Sequence, residues 1–209
     1  MIKKSIGITI LGDSIIKHQR NNISYDWSKD LKNKILYKFG KNVFFKIKSI
    51  HGVNSSNLLK SIPSFFIQIK KKDIIIIQIG INDSWHYKSL KGLPCVSIDV
   101  FKKNLSKIYK KCKINKFKKI VFVNYHRLLN NRIEVNKKSI NQNLKKYNKE
   151  IFLFCKKNKL DLININKLTK NKNLCLGLPD GVHLNKNGVR TYSEIIFKFL
   201  IKIIYGKKI

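Results

Sequence analysis

The feature that most constrains this chain is an alternation of two hydrophobic periods. Short β-branched runs recur at 5–11 (SIGITIL), 43–50 (VFFKIKSI), 73–79 (DIIIIQI), 119–124 (KIVFVN) and 160–165 (LDLINI). A longer segment with apolar residues at helical spacing follows each run: 27–39, where Trp27, Leu31, Ile35 and Phe39 form a stripe, then 54–69, 98–114, 136–158 and 187–205. Ser97 stands as an N-cap for the third helix, and Pro63 as a candidate break in the second. The run 73–79 is apolar without alternation, as in a strand covered on both faces. A helix after every strand makes successive strands parallel, and a parallel sheet carries helices on both sides. The expectation is a single domain over 1–209, a three-layer α/β/α sandwich around a five-stranded parallel sheet. At 209 residues it can bury a core without disulfide or metal staples.

Composition bears on partners. The formal net charge of +34, from 45 basic and 11 acidic residues, raises nucleic-acid binding as a function. The basic residues are 41 Lys and only 4 Arg, yet Arg is the better reader of guanine and phosphate. Alanine is absent, and Lys, Ile and Asn make up 98 of the 209 residues. AT-rich codons explain all three anomalies at once, and the charges are spread along the chain rather than gathered in one arm. No specific nucleic-acid partner is expected, only salt-sensitive attraction to polyanions. Eleven carboxylates leave little for a multi-carboxylate metal cage. Cys95, Cys112, Cys155 and Cys175 form no C-x-x-C pair, and no H-E-x-x-H occurs, so no metal or cofactor is expected. The apolar run from Ile6 to Leu11 is too short for a signal-peptide core, and Lys interrupts every longer one. A cytoplasmic protein without a membrane span is the expectation.

In open parallel sheets, ligands bind beyond the carboxyl ends of the strands. Gly12, Asp13 and Ser14 follow the first strand, and His51, Gly52, Val53 and Asn54 the second. Gly80, Ile81, Asn82 and Asp83 follow the third; Asp180, Gly181, Val182 and His183 precede the last helix. Acyl transfer needs a nucleophile, a base, a group to orient that base, and donors for an oxyanion. Ser14 offers a hydroxyl at a strand-to-helix turn, with its N–H near the helix N-terminus. His183 can act as base, with Asp180 three residues before it to fix the tautomer. Gly52 lets an N–H approach closely, and Asn82 carries an amide donor.

These segments resemble, in order, the four sequence blocks of the SGNH hydrolases, also called GDSL esterases or lipases. The likeness rests on Gly12-Asp13-Ser14, Gly52, Gly80-x-Asn82-Asp83 and Asp180-x-x-His183, and spans nearly the whole chain. Phe101-x-x-Asn104-Leu105 and the stretch from Ile140 to Tyr147-Asn148 are similar to bacterial members. Two departures stand: Ile15 replaces the Leu of the name-giving motif, and no second glycine follows Gly52. The resemblance implies the flavodoxin-like SGNH sandwich, Ser14 as nucleophile, His183 as base and Asp180 as its partner. It implies an oxyanion hole of Ser14 N–H, Gly52 N–H and the Asn82 side chain. The implied activity is a serine esterase or acylhydrolase acting on carboxylic esters through an acyl-enzyme. With no long apolar lid segment, short acyl groups such as O-acetyl on a carbohydrate are favoured. The alternatives are an O-acyltransferase using the same site, a basic nucleic-acid-binding module, or an interaction-only protein.

Other polar residues have plainer readings. His51, Trp85 and His86 are candidate substrate-binding residues, with loop packing as the plainer reading of Trp85 and His86. His18, four residues after Ser14, reads as a solvated face of the following helix. His126 follows the fourth strand at the same sheet edge. Asp13 and Asp83 read as helix caps or loop acceptors.

Overall fold

The computed structural model describes residues 5–20, 23–85, 93–129, 137–175 and 180–206. In chain order the elements are β1 (Ile6–Gly12), β2 (Lys17–Arg20), β3 (Ile23–Asp26), α1 (Trp27–Phe39), β4 (Val43–Ser49), α2 (Ser55–Ile67), β5 (Ile74–Gln78), α3 (Ile98–Ile114), β6 (Lys119–Val123), α4 (Lys137–Lys157), β7 (Asp161–Ile163), α5 (Ile165–Leu168) and α6 (Lys186–Ile204). Five strands form one parallel sheet in the order β4-β1-β5-β6-β7. The chain steps outward from β1 to β4, then returns to the other side of β1 for β5. That reversal places the switch point beyond the ends of β1 and β5, where such sheets bind ligands.

The unbroken isoleucine run of β5 is explained by burial on both faces. Ile74 and Ile76 join Ile8, Ile10 and Val121 in a core covered by Trp27, Leu31 and Ile35 of α1 and Tyr192, Ile196 and Leu200 of α6. Ile75 and Ile77 point the other way, into a core with Leu11 and Phe122 covered by α2, α3 and the C-terminal half of α4. Each buried Ile, Leu or Phe contributes about 1.5–3 kcal/mol. The result is the expected three-layer α/β/α sandwich. The four cysteines are free thiols. No helix among the described residues is long and apolar enough to cross a membrane.

Three local expectations are corrected. No helix follows Ser14: the turn at 13–16 leads into an antiparallel β2–β3 hairpin, with Lys17 paired to Asp26 and His18 to Tyr25. Asp13 closes that turn by accepting from Ile15 N–H at 3.0 Å, and after adjacent buried Ile15 and Ile16 the sequence offers no helical stripe. His18 therefore sits on a strand, not on a solvated helix face. Second, α2 runs through Pro63 unbroken; both neighbouring turns are pinned by buried Ile62, Phe65 and Phe66, which outweigh one lost backbone bond. Third, β7 ends early because the Asn164 side chain accepts from Lys167 N–H and starts the short α5.

Candidate active site

The Ser14 turn is built without slack. A Cβ on Gly12 would meet the Gln78 carbonyl oxygen at 2.0 Å, so β1 and β5 can close only around glycine. Ser49 Oγ donates to the Asp13 carbonyl at 2.8 Å, and Ile16 N–H closes on the same carbonyl at 3.2 Å. Ser14 itself is 7% exposed, enough for its hydroxyl to face the loop that carries His183.

That loop is shaped by Asp180. One carboxylate oxygen accepts from Val182 N–H at 2.9 Å and from His183 N–H at 3.0 Å. The other lies 3.0 Å from His183 Nδ1. His183 Nε2 lies 2.9 Å from Ser14 Oγ. With Nδ1–H donating to the carboxylate, Nε2 is left to accept the serine proton. Burial pushes the Asp180 carboxyl up, but the bonds from His183 and the two N–H groups outweigh it and hold the group below the usual carboxylate range. It is therefore charged at neutral pH.

Behind the loop, His126 is buried, with Nε2 3.0 Å from the Val182 carbonyl and Nδ1 2.6 Å from the Tyr192 hydroxyl. Burial pushes its imidazole down to about 4, so it stays neutral, donating to Val182 and accepting from Tyr192. Cys175 Sγ lies 2.9 Å from the same Nε2. Burial pushes that thiol up to about 12, which removes it as a nucleophile at neutral pH.

On the other side, Gly52 adopts φ +65°, a left-handed conformation that favours glycine, in a turn joined to β1 by Ile50 N–H donating to the Gly12 carbonyl at 2.9 Å. Asn82 Nδ2 donates to the Val53 carbonyl at 2.9 Å, tying the β5 loop to the Gly52 loop and leaving a second amide N–H to offer. Where a second glycine might stand, Val53 is buried and Asn54 caps α2 by accepting from Asn57 N–H. Asp83 accepts from Ser55 N–H and Ser55 Oγ at the first residue of α2, and Asn104 donates to Ser55 Oγ at 2.8 Å. Asp13 and Asp83 are thus loop acceptors, Asp83 at a helix start as well.

The remaining candidates divide. Trp85 is half-buried against the α1/α6 core, with its carbonyl accepting from Cys95 N–H at 2.8 Å. His51 is exposed. His86 lies outside the described residues. Sequence reasoning missed Tyr125, whose hydroxyl donates to Asp13, although it precedes His126 at the same sheet edge. It also misjudged His18, whose ring lies parallel to that of His183. A cavity of about 460 Å³ opens beside α4, lined by His126, Arg127, Asn141 and Lys145 among others, but no atom of Ser14, Asp180 or His183 lines it. The reactive geometry, rather than cavity size, therefore locates the site.

Among the described residues, His18, Asp180 and His183 have ligand atoms within 4.8 Å of one another. The two imidazoles are 12° from parallel, so their in-plane lone pairs lie in separate, nearly parallel planes. They do not converge on one ion at the bond length of about 2.0–2.1 Å that zinc takes with histidine. Asp180 is already engaged by His183.

An α/β/α sandwich with a serine, a histidine and a carboxylate linked in series at the switch point defines a serine hydrolase of the esterase class. The sequence model for the GDSL-like lipase/acylhydrolase family matches residues 8–196, and the chain belongs to that family. No curated protein matches it in sequence. Among solved structures it is similar in fold to a lipase/acylhydrolase from Enterococcus faecalis, at 16% identity and a TM-score of 0.75, covering 93% of this chain and 95% of that one. It is similar to an α/β hydrolase enzyme from the metagenome of Lake Arreo, Spain, at 15% identity and a TM-score of 0.74, over 93% and 94% of the two chains. A catalytic mutant of an acetylxylan esterase from Geobacillus stearothermophilus aligns at 15% identity and a TM-score of 0.72, over 95% of each chain.

Proposed function

We propose that the protein hydrolyses carboxylic esters of short acyl groups, with O-acetylated carbohydrate as the substrate class, through an acyl-enzyme on Ser14. Ser14 Oγ attacks the ester carbonyl while His183 Nε2 takes its proton. Asp180 holds the imidazole in the accepting tautomer and stabilises the charge it gains. Ser14 N–H, Gly52 N–H and the free N–H of the Asn82 amide donate to the oxyanion. His183 then returns the proton to the leaving alcohol oxygen. Water attacks the acyl-enzyme by the same route and releases the acid and free Ser14.

The observation that carries this reading is the continuous chain from Ser14 Oγ to His183 Nε2 at 2.9 Å and from Nδ1 to Asp180 at 3.0 Å. Preference for a short acyl group is supported by the absence of an apolar lid segment between the sequence blocks. The carbohydrate part draws on the fold likeness to an acetylxylan esterase.

Hydrolysis of p-nitrophenyl acetate by the parent and by Ser14→Ala tests the nucleophile, with a loss of at least ~10³-fold expected. A fluorophosphonate probe should label the parent at Ser14. Labelling elsewhere, or undiminished hydrolysis by Ser14→Ala, would overturn the mechanism. Acetate release from an acetylated xylo-oligosaccharide, compared with p-nitrophenyl esters of longer chains, tests the substrate. Faster turnover of the longer esters would rule out a short acyl pocket. Product analysis with an added sugar acceptor separates hydrolysis from acyl transfer.

A further inference from the structure

The hairpin inserted after the nucleophile turn brings a second imidazole onto the first. The ring centroids of His18 and His183 are 3.9 Å apart and the planes 12° from parallel. His18 is flanked by Tyr25 across the hairpin at 6.3 Å and by His51, from the loop after β4, at 6.2 Å. Among the described residues, the charged and titratable groups facing it are Tyr25 from β3, His51 from the Gly52 loop, and Asp180 and His183 from the loop before α6; Lys17, its neighbour on β2, is exposed. An edge contact would fix a ring only loosely, whereas face-to-face stacking fixes its plane. The hydrogen bonds to Asp180 and Ser14 define two points in that plane, and His18 supplies the third constraint, against tilting.

The stack also has an electrostatic consequence. A neutral aromatic face attracts a cation placed over it. His183 becomes an imidazolium only while it holds the Ser14 proton, so the attraction is stronger in the transition state than in the resting enzyme, the condition for raising kcat. We propose that His18 is a positioning residue for His183, holding its ring by stacking and stabilising the charge it gains as it deprotonates Ser14. No proton passes to His18: it moves from Ser14 Oγ to His183 Nε2 and then to the leaving alcohol. The inference rests on the reading of His183 as the general base.

Two substitutions separate this role from packing. His18→Phe keeps a π-face; His18→Leu fills similar volume without one. In p-nitrophenyl acetate hydrolysis, His18→Leu should lower kcat roughly 3- to 30-fold with KM changed less than about twofold. It should also move the acid limb of the kcat/KM profile to lower pH, because loss of the face makes protonation of His183 less favourable. His18→Phe should keep kcat within about threefold and leave the limb in place. The limb position does not depend on the fraction of folded enzyme, so it stays readable if either variant is less stable. An unmoved limb in His18→Leu, or an equal loss in His18→Phe, overturns the proposal. If Ser14→Ala remains active, the esterase mechanism itself fails. If Ser14→Ala is inactive and His18→Leu behaves as the parent, only the role of His18 fails.

Discussion

The hydroxyl of Tyr125 donates to the carboxylate of Asp13, linking the segment after β6 to the residue that precedes Ser14. Both groups are buried. Burial pushes the Asp13 carboxyl up to about 7, against the opposing pull of the bonds from Tyr125 and Ile15. Burial, together with the Asp13 charge, also holds the Tyr125 hydroxyl well above its ordinary value, so it remains a donor throughout the working range. Tyr125→Phe keeps the ring and deletes the donor. The expected cost is about 1–3 kcal/mol in urea unfolding, with more lost at pH 8 than at pH 5. Above pH 7 the variant leaves a buried anion short of a donor, whereas below it the acid is neutral. An equal loss at both pH values would mean that Asp13 does not titrate between them.

Asp83 and His126 pull stability in opposite directions over the same pH range. Burial pushes Asp83 up from 3.8 to about 6. Between those values the unfolded chain ionises this group first, so its contribution to folding falls as pH rises. Burial pushes His126 down from 6.5 to about 4. There the unfolded chain binds the proton that the folded chain refuses, so its contribution rises with pH. Each amounts to roughly 3 kcal/mol across its window, and the two nearly cancel between pH 4 and 6. Asp83→Asn should make the slope of stability against pH more positive in that interval. Thermal or urea unfolding measured at half-unit steps checks it; an unchanged slope would place the titration of Asp83 outside the interval.

His126→Phe should do the reverse and make that slope more negative from pH 4 to 6. The variant also leaves the Val182 carbonyl and the Tyr192 hydroxyl without the ring that joins them. Because Val182 lies between Asp180 and His183, kcat toward p-nitrophenyl acetate is expected to fall about 10-fold with little change in KM. A rise in KM at constant kcat would instead place His126 against the bound ester.

The layers of the fold were legible because each rests on a period. The isoleucines of β5 could be covered only on both faces, and the stripe from Trp27 to Phe39 could bury only one side of a helix. The nucleophile turn was less legible. Whether the segment after Ser14 continues as helix or hairpin depends on Asp13 folding back onto Ile15 N–H and on pairing between Lys17 and Asp26, and neither leaves a periodic trace. The stacking of His18 on His183 joins residues 165 positions apart through that hairpin, so it could not be read before the hairpin was known. Tyr125 escaped notice for a related reason. A tyrosine after a strand looks like core until its hydroxyl is seen to meet a carboxylate. The spacing of Asp180 and His183, by contrast, is short enough for one turn to dictate their contact.

That turn depends on Gly181. Its φ of +62° is left-handed, and a Cβ there would lie 2.3 Å from the Leu129 carbonyl oxygen. Leu129 N–H donates to the Gly181 carbonyl at 2.9 Å, so the two loops are held too close to separate without losing a bond. Gly52 offers an internal control, since it has nearly the same φ, +65°, and open space within 4 Å of its Cβ position. Backbone strain alone costs about 1–2 kcal/mol for alanine at either site. Gly52→Ala keeps its N–H and should pay only this, leaving acetate ester hydrolysis within about 10-fold of the parent. Gly181→Ala must also displace the backbone between Asp180 and His183. A shift of about 1 Å there breaks the 2.9 Å contact with Ser14 and should cost at least ~100-fold in kcat. Equal effects in the two variants would show that the Leu129 loop yields to the methyl group, and that the orientation of His183 does not depend on this close approach.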